Sequence, residues 1–305
     1  MIIVYGAAGS RPIPLAAFSG GIARDFDRRY TERLFPNSVP SVTIEDSVPL
    51  VARIPPGEFI MGADDSDEDE RPSHRVYLDE FYLGIQPVTN EEYARFVQET
   101  RHPSPDVRTL PMIVAHEQQH VFRELAAAFI WTNGLPPPDR ERHPVVLVTV
   151  EDAMAYCAWL QTRTGKPFRL PTEAEWEKAA RGGLERQRFP WGDDIDPSRA
   201  NYLTDPESKS QGGTHEVGRC PANGYQLFDM AGNVWQWVSD WYAPDYYARA
   251  QYLNPPGPEA GHLRIVRGGS WVNDDTSFLR CAYRHRIPAD SYSYSIGFRV
   301  AYSIR

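Results

Sequence analysis

Hydrophobic and polar positions first become ordered at Ile54-Pro55-Pro56-Gly57-Glu58-Phe59-Ile60-Met61-Gly62, where turn residues precede a short strand. Val76, Leu78 and Phe81 predict a second strand over 75–82. Three helices then follow from paired start signals. Thr89 with Glu92 forms a capping box that opens a helix over 90–99, whose Tyr93, Phe96 and Val97 share one face. Thr149 with Asp152 opens a second helix that ends at Gly165, with Ala153, Tyr156, Cys157 and Leu160 as its apolar stripe. Cys157 is thus expected in the core. Thr172 with Glu175 opens a third helix, closed by Gly182-Gly183, and the segment 112–129 could be helical as well. After residue 183 the chain turns to short segments rich in Gly, Asn, Asp, Pro and Trp. Sixteen Tyr and eight Trp in the whole chain predict loops held together by aromatic packing rather than by regular layers.

Composition narrows the class. The 305 residues, 41% of them apolar, can fill a substantial core. A net charge of −9 argues against nucleic-acid or anionic-membrane partners, which both need a basic surface. The acidic run Asp64-Asp65-Ser66-Asp67-Glu68-Asp69-Glu70 reads as a solvated loop. Three widely spaced cysteines, Cys157, Cys220 and Cys281, give neither a disulfide framework nor a metal knuckle and fit a reducing compartment. No signal-peptide pattern and no run of 18 apolar residues is present, so a cytoplasmic location is expected. His116-Glu117-Gln118-Gln119-His120 spells the HExxH zinc pattern. It lacks a third ligand, and His116 and His120 are read as surface or capping residues rather than as a zinc site.

The ordered motifs carry a resemblance. Pro87-Val88-Thr89-Asn90, His143-Pro144-Val145, Arg169-Leu170-Pro171-Thr172-Glu173-Ala174-Glu175-Trp176-Glu177 and Phe189-Pro190-Trp191-Gly192 come first. Asp229-Met230-Ala231-Gly232-Asn233-Val234-Trp235-Gln236-Trp237, Arg267-Gly268-Gly269-Ser270-Trp271 and Ile296-Gly297-Phe298-Arg299-Val300 follow. Together they resemble the sulfatase-modifying-factor domain of formylglycine-generating enzymes. The resemblance implies an α+β, C-type-lectin-like fold over 45–305, after an extension at 1–44 that matches nothing in the family. It also implies that Trp191, Trp235, Trp237 and Trp271 are largely buried.

For chemistry the resemblance implies a reactive, copper-binding cysteine pair after Gly-Gly-Ser. Here Asn273 stands at the first position, and the second falls near Ser277 or Phe278. Cys281 matches a later structural cysteine. Copper and thiol oxidation are therefore not expected, because Cu(I) needs soft sulfur ligands. The family's calcium site falls on Asp229, Gly232, Val234 and Gln236, with Gln236 where Glu is usual. A second calcium site would use Asn201 and Tyr202, but its acidic ligand falls near Lys209.

The remaining functional surface is the C-terminal loop region. Ser270, Trp271, Asn273, Asp274, Asp275, Tyr283, His285, Tyr292 and Tyr294 are the candidate residues for a protein or small-molecule ligand, since Tyr and Ser suit adaptable binding loops. Two other readings follow from relatives of this family: an enzyme with different, metal-dependent oxidative chemistry, and a variable protein of a diversity-generating retroelement.

Overall fold

The computed structural model describes residues 48–107, 119–204 and 212–304. The extension at 1–44, His116 and Lys209 lie outside the described residues. A strand that the pattern did not single out, β1 (Val51–Ile54), precedes Pro55-Pro56, and the first expected strand follows them as β2 (Gly57–Met61). Proline has no N–H to give to a ladder, so the pair ends one strand and frees the next to join another sheet. The second expected strand is divided, into β3 (His74–Leu78) and β4 (Phe81–Gly84), with Asp79-Glu80 between them.

β2 and β3 form an antiparallel ribbon. β1, β4 and β9 (Ala301–Tyr302) form a three-stranded sheet that ties the two ends of the described domain together. The third sheet has the order β7-β6-β5-β8, from β5 (Trp235–Trp241), β6 (Leu263–Arg267), β7 (His285–Pro288) and β8 (Ile296–Phe298). Only its β5–β8 pair is parallel.

All three expected capping boxes form, at α1 (Asn90–Thr100), α3 (Val150–Thr164) and α4 (Glu173–Arg181). Gly165 and Gly182 take left-handed conformations at the ends of α3 and α4, where a side chain would be strained. A further helix, α2 (Gln119–Ala127), occupies part of the expected 112–129 segment.

Aromatic rings fill the space between these elements. Tyr93 meets Phe96, Trp131, Tyr156 and Phe298 with ring centroids 5.1, 6.1, 5.6 and 6.3 Å apart. Trp237 is fully buried, and its indole N–H donates to the Val148 carbonyl at 3.1 Å, which satisfies its one polar atom. Cys157 lies in this core as expected, and burial pushes its thiol up to about 12. Trp235 and Trp271 are buried too. Trp191 departs from expectation: it is half-buried, stacked on Phe189 at 5.5 Å, with its N–H on the Asp194 carbonyl.

The acidic run also departs from expectation. Glu70 is completely buried and accepts two hydrogen bonds from Arg280, at 2.6 and 2.8 Å, while Asp69 pairs with Arg286 at 3.2 Å. A loop that reads as solvated is thus fastened to the C-terminal segment by ion pairs.

Truncating the fully buried ring in Trp237→Ala is expected to cost about 3 to 5 kcal/mol, against less than about 2 for Trp191→Ala. Denaturant midpoints of the two variants check the order, and an equal loss would contradict it.

Candidate ligand-binding face

The site is built on a turn that needs glycine. β6 ends at Arg267, and Gly268 and Gly269 follow with φ of +97° and +72°. A Cβ on Gly268 would stand 2.9 Å from the Trp176 ring, and one on Gly269 would stand 2.6 Å from Leu279. The turn returns the chain so that Ser270 and Asn273 close on each other. The Asn273 Oδ1 accepts from the Ser270 N–H at 2.8 Å and from its hydroxyl at 2.9 Å. Ser270 is therefore fully buried and its hydroxyl is used within the turn, so it is not part of a ligand surface. Asp275 receives the Ser277 N–H at 2.8 Å and starts the single helical turn that carries Phe278.

Phe278 enters an aromatic group with Trp235, Tyr283 and His285. Its ring centroid lies 6.1 Å from Trp235 and 5.0 Å from Tyr283, and His285 stacks on Trp235 at 4.9 Å. Burial lowers the His285 pKa to about 4, so the ring is neutral at pH 7, and burial raises the Tyr283 hydroxyl to about 12. Asp274 and Asp275 are exposed beside this group, while Asn273, Tyr283 and His285 are half-buried.

The other half of the expected face is covered. Phe122 of α2 sits 5.2 Å from Tyr294 and 6.3 Å from Tyr292, and Phe129 lies 6.1 Å from Trp271. Trp271 and Tyr292 are buried beneath this helix, and Tyr294 is half-buried. Trp271 and Tyr292 thus pack the domain, and of the expected residues Asn273, Asp274, Asp275, Tyr283, His285 and Tyr294 keep exposed surface. His120 is exposed on α2, apart from any group of three metal-binding side chains among the described residues.

What holds the face in place was not evident from motif spacing. Every residue of α4 is buried, including Glu173, Glu175, Glu177, Lys178 and Arg181. Glu177 accepts from Gly62 N at 2.8 Å, Arg181 at 2.7 Å and Arg267 at 2.6 Å. These partners outweigh its burial and hold the carboxyl below the ordinary range. Arg267 also donates to the carbonyls of Cys281, Ala282 and Tyr283. Arg284 clasps Glu173 with two bonds of 2.7 and 2.9 Å. The one sequence signal was negative: a helix in which nearly every turn is charged has no solvent face that the apolar pattern can assign.

The residues expected to bind calcium share one turn, and the side chains of Gln236 and Asp229 accept hydrogen bonds within the protein. The Gln236 Oε1 accepts from the Trp176 indole at 2.8 Å and from Arg299 Nε at 2.7 Å, and its amide donates to the Asp229 carbonyl at 2.7 Å. Arg299 is fully buried and also donates to the carbonyls of Gly84, Phe228 and Asp229. The Asp229 carboxylate accepts from Gly218 N at 2.8 Å. Gly232 approaches the Asn201 carbonyl so closely that a Cβ would stand 2.5 Å from it, and Asn201 donates its amide to the Gly213 carbonyl. Calcium takes six to eight oxygens. This arrangement, with both Gln236 acceptor positions filled and a guanidinium already among the carbonyls, does not fit such a cradle. Val234 lies buried on the same turn, and Tyr202 packs against the cluster of Phe189, Ala200, Ala231 and Leu279.

An α+β domain of short strands and aromatic loops, with a Gly-Gly-Ser turn that carries no thiol pair, is the class that this geometry defines. The family described as sulfatase-modifying factor enzyme 1-like domain matches residues 37–304, and the chain belongs to it. The chain is 34% identical over 325 residues to the formylglycine-generating enzyme of Bos taurus, an overlap that covers 96% of this chain and 84% of that enzyme. It is 37% identical over 253 residues to the serine/threonine-protein kinase pkn1 of Chlamydia caviae, which covers 82% of this chain but only 37% of the length of that relative. Among solved structures, PvdO from Pseudomonas aeruginosa superposes with a TM-score of 0.69 at 27% identity, over 87% of this chain and 99% of that one. No helix among the described residues is long and apolar enough to cross a membrane.

Burial raises the Asp229 carboxyl from an ordinary 3.8 to about 6. A raised acid favours folding most when it is protonated. Its contribution is complete below 3.8 and is lost as pH rises through about 6. Asp229→Asn should therefore flatten the fall of melting temperature between pH 4 and 6. A wild-type profile matched by the variant would count against the assignment. Calcium or a chelator should move the melting temperature by less than about 1 °C, because a ligand stabilises only if the folded state holds it. A clear drop with chelator would restore calcium to this turn.

Proposed function

We propose that the chain is a sulfatase-modifying-factor-type domain without thiol-oxidase chemistry, and that it recognises a protein or small-molecule ligand through the open half of its C-terminal face. The observation that carries this reading is the filling of the two thiol positions. Asn273 spends its amide oxygen on Ser270, and near the second position Ser277 gives its N–H to Asp275 while Phe278 places a ring in the Trp235–Tyr283–His285 group. None of the three can serve as a soft metal ligand or a redox sulfur.

The three cysteines do not replace the missing pair. Burial raises the Cys157 and Cys281 thiols to about 12 and the Cys220 thiol to about 11, so none is a thiolate near neutral pH. What the face does offer is an exposed acidic pair beside half-buried aromatic rings. Such rings contribute contact area with little ordering cost, and the acidic pair adds charge selectivity.

Two measurements test this. Copper-loaded protein incubated with a cysteine-containing peptide should show no oxygen consumption above the peptide blank, and copper-dependent turnover would overturn the non-oxidase reading. Asp274→Lys with Asp275→Lys should weaken binding of a captured ligand by about tenfold, with folding intact. Tyr292→Ala should instead lower stability, since that ring is buried under α2. Binding unchanged by the charge reversal would remove this face from the proposal.

A further inference from the structure

A cavity of about 300 Å³, which shares no residue with the C-terminal face, lies between the edge of β2 and the C-terminal end of α4. Phe59, Ile60, Leu184 and Tyr225 give it apolar and aromatic walls, and Lys178 is set among them. A space of this size, mostly apolar with few polar groups, suits a small organic ligand. Lys178 is buried, with 4% exposure, because α4 is packed on every side. Its Nζ reaches the carbonyls of Pro55 and Gly57, both at 2.8 Å, at the proline break between β1 and β2.

Among the described residues no carboxylate pairs with this amine, and the charges around the cavity are engaged elsewhere. Glu58 holds Arg75 at 3.3 Å and accepts the Tyr252 hydroxyl at 2.7 Å, Arg181 is paired with Glu177 at 2.7 Å, and Glu185 is exposed at the lip. Burial without a counter-ion lowers the Lys178 pKa from 10.5 to about 8. The amine is tetrahedral, and two of its three N–H directions are committed to the carbonyls. The third carries a proton in the ammonium and the lone pair in the neutral amine, while both carbonyl bonds are kept. A desolvated lysine of this kind is a nucleophile rather than a surface cation.

We propose that the Lys178 amine, open to this cavity through its third position, forms an imine with a small apolar aldehyde held between Phe59, Leu184 and Tyr225. The lone pair attacks the carbonyl carbon, the former carbonyl oxygen leaves as water, and the nitrogen keeps one proton as the protonated imine, with one further proton drawn from solvent. That remaining N–H still serves one of the two backbone carbonyls. The chain has three lysines, Lys166, Lys178 and Lys209, so the site of reaction can be read directly. The full chain is incubated near neutral pH with benzaldehyde and sodium cyanoborohydride, whose hydride reduces each imine to a stable secondary amine, and alkylation is mapped by peptide mass. Lys178 should react faster than the more exposed Lys166, by about fivefold. Its rate should saturate with benzaldehyde concentration, while that of Lys166 stays linear. Leu184→Trp, which narrows the mouth, should slow Lys178 at unchanged melting temperature and leave Lys166 unaffected. A lysine that only ties α4 to the strand break would react no faster than Lys166. That result, a rate at Lys178 that stays linear, or one untouched by Leu184→Trp would each overturn the assignment.

Discussion

The buried contact between α4 and the end of β6 is the constraint on which the rest of the domain depends. Glu177 and Arg267 are 90 positions apart in sequence, both fully buried, and joined at 2.6 Å. A buried ion pair is tolerable only when its remaining hydrogen-bonding capacity is met. Glu177 meets this with Gly62 N and Arg181, and Arg267 largely meets it by binding three consecutive carbonyls, of residues 281 to 283, leaving only its Nε–H without a partner among the described residues. The same arginine therefore fixes the helix to the sheet and sets the backbone that presents Tyr283. A lysine could not make this set of contacts, because it lacks the planar fork.

That frame makes no use of the thiol pair. The Gly268-Gly269 turn is required by the Trp176 ring and Leu279, not by a metal. Asn273 keeps the turn closed through Ser270, and Phe278 is packed among rings. A domain can thus keep its family's architecture with other residues at the thiol positions, and belonging to the family does not by itself assign an activity. The helix α2 adds a local feature: it buries Tyr292 and Trp271 and leaves an acidic and aromatic strip as the open part of the face.

Much of the fold was legible in the sequence where the cause is local. Capping boxes at Thr89, Thr149 and Thr172 and the left-handed glycines at 165 and 182 depend on residues within one turn, and all appear where the pattern places them. The expected strand over 75–82 divided at Asp79-Glu80, where the sheet partner changes. Long-range electrostatics was the least legible. Nothing in the run 64–70 marks Glu70 as buried, since its partner Arg280 lies 210 positions away. For the site, motif matching located the turn, but the covering of Tyr292 by Phe122 and the engagement of Gln236 by Arg299 depend on tertiary packing.

A double-mutant cycle tests the central constraint most directly. Glu177→Gln, Arg267→Lys and the combined variant would be compared with the parent by denaturant unfolding. If α4 and β6 are coupled through this buried pair, the two losses should be non-additive, with a coupling on the order of 2 kcal/mol or more. Losses that add to within about 0.5 kcal/mol would contradict the account.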